Sequence, residues 1–136
     1  MTEPSLSIID ASMFPVVCIH GAELVPGDGA SIIGDFEQLI RYEKPFVLVI
    51  ENGAGSSRRQ QEEGKARMLW LKENKTRMAA VCKGIVFVTP DSQRLPLVEK
   101  QAAGLQSVLG ITFRARESFD EAHATGLALL KGTATG

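Results

Sequence analysis

The chain has 136 residues, of which 44% are apolar and 23% are charged, with a formal net charge of −1. This length suits one domain over 1–136, with frayed tails at 1–4 and 133–136. The balanced charge offers no basic surface for nucleic acid, and no apolar run approaches the ~20 residues that span a bilayer. The first residues, MTEPSLSIID, lack the features of a signal peptide, so we expect a cytoplasmic protein.

The first twenty residues predict a β-hairpin. Ser5–Ile9 alternates between apolar and polar residues, which is typical of a short strand, and Asp10-Ala11-Ser12 is a turn signal. Phe14–His20 is rich in β-branched residues and predicts a second strand that pairs with the first.

A helix and a buried strand follow the hairpin. A one-sided apolar stripe predicts a helix from Asp28 or Gly29 to about Tyr42. Pro45 ends it, because the residue before a proline avoids the helical conformation. Pro45–Glu51 shows almost no alternation, which indicates a central strand that is covered on both faces.

The next helical pattern begins near Ser57 and extends to Cys82, either unbroken or divided at Asn74-Lys75-Thr76. As a continuous helix it would turn five residues toward the sheet: Ala66, Leu69, Trp70, Ala80 and Val81.

Two more strand–helix pairs complete the chain. Gly84–Thr89 predicts a buried strand, and a helix capped by Asp91 or Ser92 follows it to about Leu109, with Pro96 in its first turn. Ile111–Ala115 predicts the last strand, and the capping box of Ser118 and Glu121 opens a helix that ends near Lys131. The order β-β-α-β-α-β-α-β-α implies an α/β fold with a mostly parallel or mixed sheet of about five strands and four helices.

This order, the buried strands FVLVIE and GIVFVT, and the closing helix SFDEAHATGLALL after ITFRA together resemble the STAS domain. More narrowly, the chain resembles the small stand-alone bacterial proteins described as SpoIIAA-like. The resemblance implies the STAS fold and a regulatory or ligand-binding module rather than an enzyme.

The loop after the central strand is the first candidate site. In the best-known members of the family, a phosphorylatable serine begins the helix at this place, within an acidic residue, two Ser/Thr and Gly-Leu-Gly. The paired serines match that pattern here, whereas the acidic residue and Gly-Leu-Gly are absent. The candidate phosphate-binding or phospho-acceptor residues are Asn52, Gly53, Gly55, Ser56, Ser57, Arg58 and Arg59.

The residues themselves leave two interpretations of this loop open. Backbone N–H groups at a helix N-terminus, with two arginines beside them, favour a bound anion or a phosphorylated serine. Alternatively, the segment is a connector in which a serine only caps the helix.

The second candidate site is an apolar segment of the long helix around Met68, Trp70 and Leu71. One side of it can face the sheet, so the other offers a partner surface, a homodimer interface or a lid over an apolar groove. The alternative is that both sides are covered within the chain.

The remaining reactive residues predict neither a metal site nor catalysis. His20 and His123 are the only histidines, and Cys18 and Cys82 lie in apolar sequence typical of buried, reduced thiols. We therefore expect no cofactor and no enzyme. Two functions follow: an interaction module with an unknown protein partner, and a carrier of a small apolar or amphipathic ligand under the Trp70 helix.

Overall fold

One β-sheet organises the part of the chain that the computed structural model describes, residues 9–20, 28–51, 65 and 69–131, with the backbone alone at 11–13, 20 and 28–30. Its strands are β1 (Asp10–Met13), β2 (Val16–His20), β3 (Phe46–Glu51), β4 (Cys82–Val88) and β5 (Phe113–Arg116). They lie side by side in chain order. The pair β1–β2 is antiparallel, and β2 to β5 are parallel. The predicted α/β class with a mostly parallel sheet is confirmed.

Helices cover both faces of this sheet. They are α1 (Asp28–Tyr42), α2 (Lys75–Val81), α3 (Leu95–Leu109) and α4 (Phe119–Leu130), and a further helical segment at 69–73 precedes α2. Right-handed crossovers between strands that follow one another in order place every connecting helix on the same face. α4 comes after the last strand, so it is free to return along the opposite face.

Two apolar clusters lie one on each face of the sheet. The larger cluster joins the sheet to the connecting helices through Val17, Ile19, Leu48, Ile85, Ile32, Phe36, Met78 and Leu109. The smaller cluster joins the sheet to α4 through Val16, Cys18, Val47, Val49, Val86, Val88 and Ala122. Residues 46–50 of β3 are all buried, since alternate side chains enter the two clusters. This confirms that FVLVI is a central strand covered on both faces.

The start of the chain differs from the prediction. The turn expected at Asp10-Ala11-Ser12 is wrong, because these residues belong to β1 and Asp10 pairs with Cys18. The turn lies instead at Phe14-Pro15, between the paired residues Met13 and Val16. A proline lacks the N–H that a strand ladder needs, so it suits the turn better than the strand in which we expected it. Residues 5–8 of the predicted first strand lie outside the described residues.

Asn74 divides the helical region before β4. Its backbone N–H donates to the Trp70 carbonyl at 2.9 Å, and its side-chain Nδ2 donates to the same oxygen at 3.0 Å. The face predicted for an unbroken helix is partly wrong, because Leu69 is 57% exposed and Ala80 is exposed. The side chains that enter the core are Leu71, Met78 and Val81.

Several predicted boundaries are confirmed. α1 spans Asp28–Tyr42, and Pro96 lies in the first turn of α3. The Ser118 side chain accepts a hydrogen bond from the Glu121 N–H at 3.2 Å, as the capping box predicts. β4 begins at Cys82, two residues earlier than expected, which removes this cysteine from the preceding helix. In the described part of the chain, no helix has both the length and the apolar character needed to cross a membrane.

Candidate functional site

At the carboxyl ends of the four parallel strands, strand pairing aligns one residue from each strand, and three of the four are polar. His20 pairs with Glu51, Glu51 with Val88, and Val88 with Arg116. We call these four residues the terminal row; His20 belongs to it by its backbone position. In open α/β sheets, ligands and partners bind beyond the carboxyl ends of the strands. The terminal row is therefore the candidate functional site.

The connections that leave this end of the sheet separate between β4 and β5. α3 follows β4 on one face and α4 follows β5 on the other. Thr89 lies at this point, and its backbone N–H donates to the Arg116 carbonyl at 2.8 Å. Its hydroxyl is buried, and within the described residues it has no hydrogen-bond partner.

Glu51 is held by a neighbouring thiol. The Cys18 Sγ donates to Glu51 Oε1 at 3.2 Å, and the two residues lie on adjacent strands. Cys18 is buried and reduced, whereas Glu51 is partly exposed. This contact fixes the Glu51 side chain at the point where the chain leaves β3.

Arg116 is anchored at the other side of the terminal row. Its Nε donates to Thr125 Oγ1 of α4 at 3.0 Å, and its Nη1 donates to the Ala115 carbonyl at 2.7 Å. Glu51 and Arg116 are separated by β4, so two strand spacings put their backbones roughly 10 Å apart. The end of the sheet thus carries one acidic and one basic group on rigid strands.

The loop that the sequence singles out begins directly after Glu51. Residues 52–59, which include Ser56, Ser57, Arg58 and Arg59, lie outside the described residues. Their interpretation as an anion site or a phospho-acceptor loop stays a prediction.

Only part of the second candidate site is exposed. Trp70 is half-buried, and its ring centroid lies 5.4 Å from that of Phe36. Leu71 is 3% exposed and belongs to the core, whereas the neighbouring Leu69 is exposed. Met68 lies outside the described residues. The contact between Trp70 and Phe36 joins the helix to α1, and the groove expected between the helix and the sheet stays a prediction.

A separate open groove of about 380 Å³ lies between α2 and the C-terminal end of α3. It is lined by Lys75, Thr76, Ala79 and residues 107–110. Because α3 runs from the carboxyl end of β4 to the start of β5, this groove is at the end of the sheet away from the terminal row.

Cys82 and His123 take part in packing. Burial raises the pKa of the Cys82 thiol to about 12, and the nearby charge of Lys83 offsets this only in part. The thiol is therefore protonated at neutral pH, and a protonated thiol is a poor nucleophile. His123 lies on α4 with its ring 5.9 Å from that of Phe119. Within the described ranges, no three His, Cys, Asp or Glu side chains are grouped so that they could hold a metal ion.

Sequence reasoning missed Thr89 and Arg116 as members of the site. The available signal was their position, since Thr89 closes the predicted strand Gly84–Thr89 and Arg116 directly follows the predicted strand Ile111–Ala115. Which strand ends align depends on register, and register is set by pairing between strands that are distant in sequence.

No family model, curated protein or solved structure matches this chain.

Proposed function

We propose that this chain is a non-enzymatic regulatory or protein-interaction module of the STAS type, similar to the SpoIIAA-like proteins, and that it acts through the loop Asn52–Arg59. One observation carries the proposal: β3 is the middle strand of the sheet, and the loop begins at its carboxyl end. The element order on which the resemblance rests, a hairpin followed by alternating helices and strands, is also the order of the described elements.

The point at which the chain leaves β3 is held in place. Residues 46–50 are buried, and Glu51 is held by Cys18. Binding residues are commonly carried on loops that a rigid scaffold positions. The proposed charge change thus lies in the segment that directly follows a fixed acidic residue, Glu51.

The charges of the segment favour a phosphorylation switch. Glu51, Arg58 and Arg59 together contribute a net charge of +1. A phosphoryl group on Ser56 or Ser57 adds about −1.5 to −2. The net charge of the segment therefore changes sign, and either arginine could pair with the phosphate.

The test is a comparison of partners bound by loop variants. Tagged wild-type chain, Ser57→Asp, and the double variant Arg58→Ala with Arg59→Ala are isolated from the native host, and the co-purifying proteins are quantified by mass spectrometry. We expect a defined partner whose recovery changes at least tenfold in both loop variants, because each alters the charge that the partner reads.

Matched controls come from exposed positions outside the site. Ser107→Asp adds a similar charge to α3, and Arg41→Ala with Lys100→Ala removes two positive charges from exposed positions on α1 and α3. These variants should recover the partner as the wild type does. Equal recovery from the loop variants and the wild type, with all proteins folded by circular dichroism, would contradict the proposal.

A further inference from the structure

β5 is the last strand of the sheet, so one side of its backbone faces away from β4. The inward side is identified by two hydrogen bonds: the Ile85 N–H donates to the Thr112 carbonyl at 2.8 Å, and the Thr89 N–H donates to the Arg116 carbonyl at 2.8 Å. Alternate residues of a strand direct their backbone groups to opposite sides. Phe113 and Ala115 therefore present their N–H and C=O groups at the outer edge of β5.

Side chains of this same chain occupy three of those four groups. The Phe113 N–H donates to Gln106 Oε1 at 3.1 Å, and Arg114 Nη1 donates to the Phe113 carbonyl at 2.9 Å. Arg116 Nη1 donates to the Ala115 carbonyl at 2.7 Å. Three of the four positions at which another strand would form its hydrogen bonds are thus already filled.

The two arginines are held in place by the helices on either face. Arg114 Nη1 also donates to Gln106 Oε1 of α3 at 3.0 Å, and Arg116 Nε donates to Thr125 Oγ1 of α4 at 3.0 Å. Each guanidinium therefore has one contact to the strand edge and one to a helix. A planar group with several fixed donors loses less freedom when it bridges two acceptors in this way.

We propose that Gln106, Arg114 and Arg116 form a closure that prevents strand addition at the outer edge of β5. An exposed strand edge pairs readily with another chain, and charged side chains are a common means of preventing this. Without the closure, the edge would accept an extended strand, and the strand we propose is β5 of a second copy, whose outer edge carries the same backbone groups. This inference does not rest on the proposed function, because it concerns the outer edge of β5, two strands away from β3.

The experiment compares the self-association of wild-type chain and the double variant Arg114→Ala with Arg116→Ala by sedimentation velocity over a wide concentration range. The variant exposes two carbonyl groups in each copy. One net hydrogen bond raises an association constant by about tenfold or slightly less. With two such bonds gained, we expect the association constant of the variant to rise by roughly 100-fold. Hydrogen exchange should show the Ala115 amide becoming protected as the variant associates.

The control is the double variant Arg41→Ala with Lys100→Ala, which removes the same charge from exposed positions away from β5. It should associate as the wild type does. An equal rise in the control, or an edge variant that is folded and associates no more than the wild type, overturns the proposal.

Gln106→Ala is the second test and leaves both arginines intact. It removes the acceptor of the Phe113 N–H, and we expect at least tenfold faster exchange of that amide at low concentration. Unchanged exchange would show that Gln106 does not close the edge, and it would overturn the proposal even if the double arginine variant did not fold.

Discussion

Gly126 is the residue at which α4 approaches the middle of the sheet. A Cβ added there would lie 2.7 Å from Val47 Cγ2, which is closer than side-chain carbons pack. Val47 is fully buried between its neighbours in β2 and β4, so it has little room to move. The distance between α4 and β3 therefore depends on the absence of a side chain at one position.

We expect Gly126→Ala to lower the free energy of unfolding. Overpacking costs about 1–3 kcal/mol, whereas replacing a helical glycine by alanine recovers about 1 kcal/mol. The expected net loss is up to about 2 kcal/mol, measured by urea unfolding.

Gly104→Ala is the matched control, because Gly104 lies inside α3 with no atom within 4 Å of the added Cβ. It should stabilise the protein by about 1 kcal/mol. The difference between the two variants isolates the contact with Val47. If both variants changed stability equally, α4 would not lie against β3 as described.

At the scale of elements, α4 depends on its capping box as well as on packing. Ser118 accepts the Glu121 N–H, and the Ser118 hydroxyl lies 3.2 Å from Glu121 Oε1. Asp120 and Glu121 also place negative charge in the first turn, where the helix dipole favours it. Since α4 provides the helical cover of one face of the sheet, its first turn contributes to the stability of the whole fold.

Ser118→Ala should destabilise the protein by about 1 kcal/mol, because it leaves a helix N–H without its acceptor. Chemical denaturation with a constant m-value would measure this loss. Ser107→Ala, at an exposed interior position of α3, should cause no loss, because alanine is the better helix former. A cap variant as stable as this control would mean that the capping contact is not formed in solution.

The elements that sequence predicts well are those with strong local signals. α1 has a one-sided apolar stripe and Ser118 begins a capping box, and both helices lie where these signals indicate. β1 lies later in the chain than the sequence predicts, because its pairing with β2 outweighs the local turn signal of Asp10-Ala11-Ser12. Leu69 is exposed although the pattern predicts it in the core, because Met68–Leu71 is apolar at every position and periodicity does not decide which side of such a segment faces the sheet.

At the scale of the whole molecule, the sheet has sides of different character. Connecting helices cover one face and α4 the other, the outer edge of β5 is occupied by its own arginines, and polar residues collect at the carboxyl ends. The alternation of strands and helices along the chain predicts the parallel sheet. The terminal row could not be predicted, because Glu51 and Arg116 are aligned only through the registers of two strand pairs, β3–β4 and β4–β5.

The central claim is that the loop after β3 is a regulated interaction site. The most direct measurement is the intact mass of the chain isolated from its own host, under native and then denaturing conditions. We expect a covalent increase of about 80 Da, the mass of one phosphoryl group, and fragmentation should place it on Ser56 or Ser57. A modification found only elsewhere, for example on the exposed Ser92 or Ser107, would contradict the claim, as would a chain that stays unmodified in every growth condition.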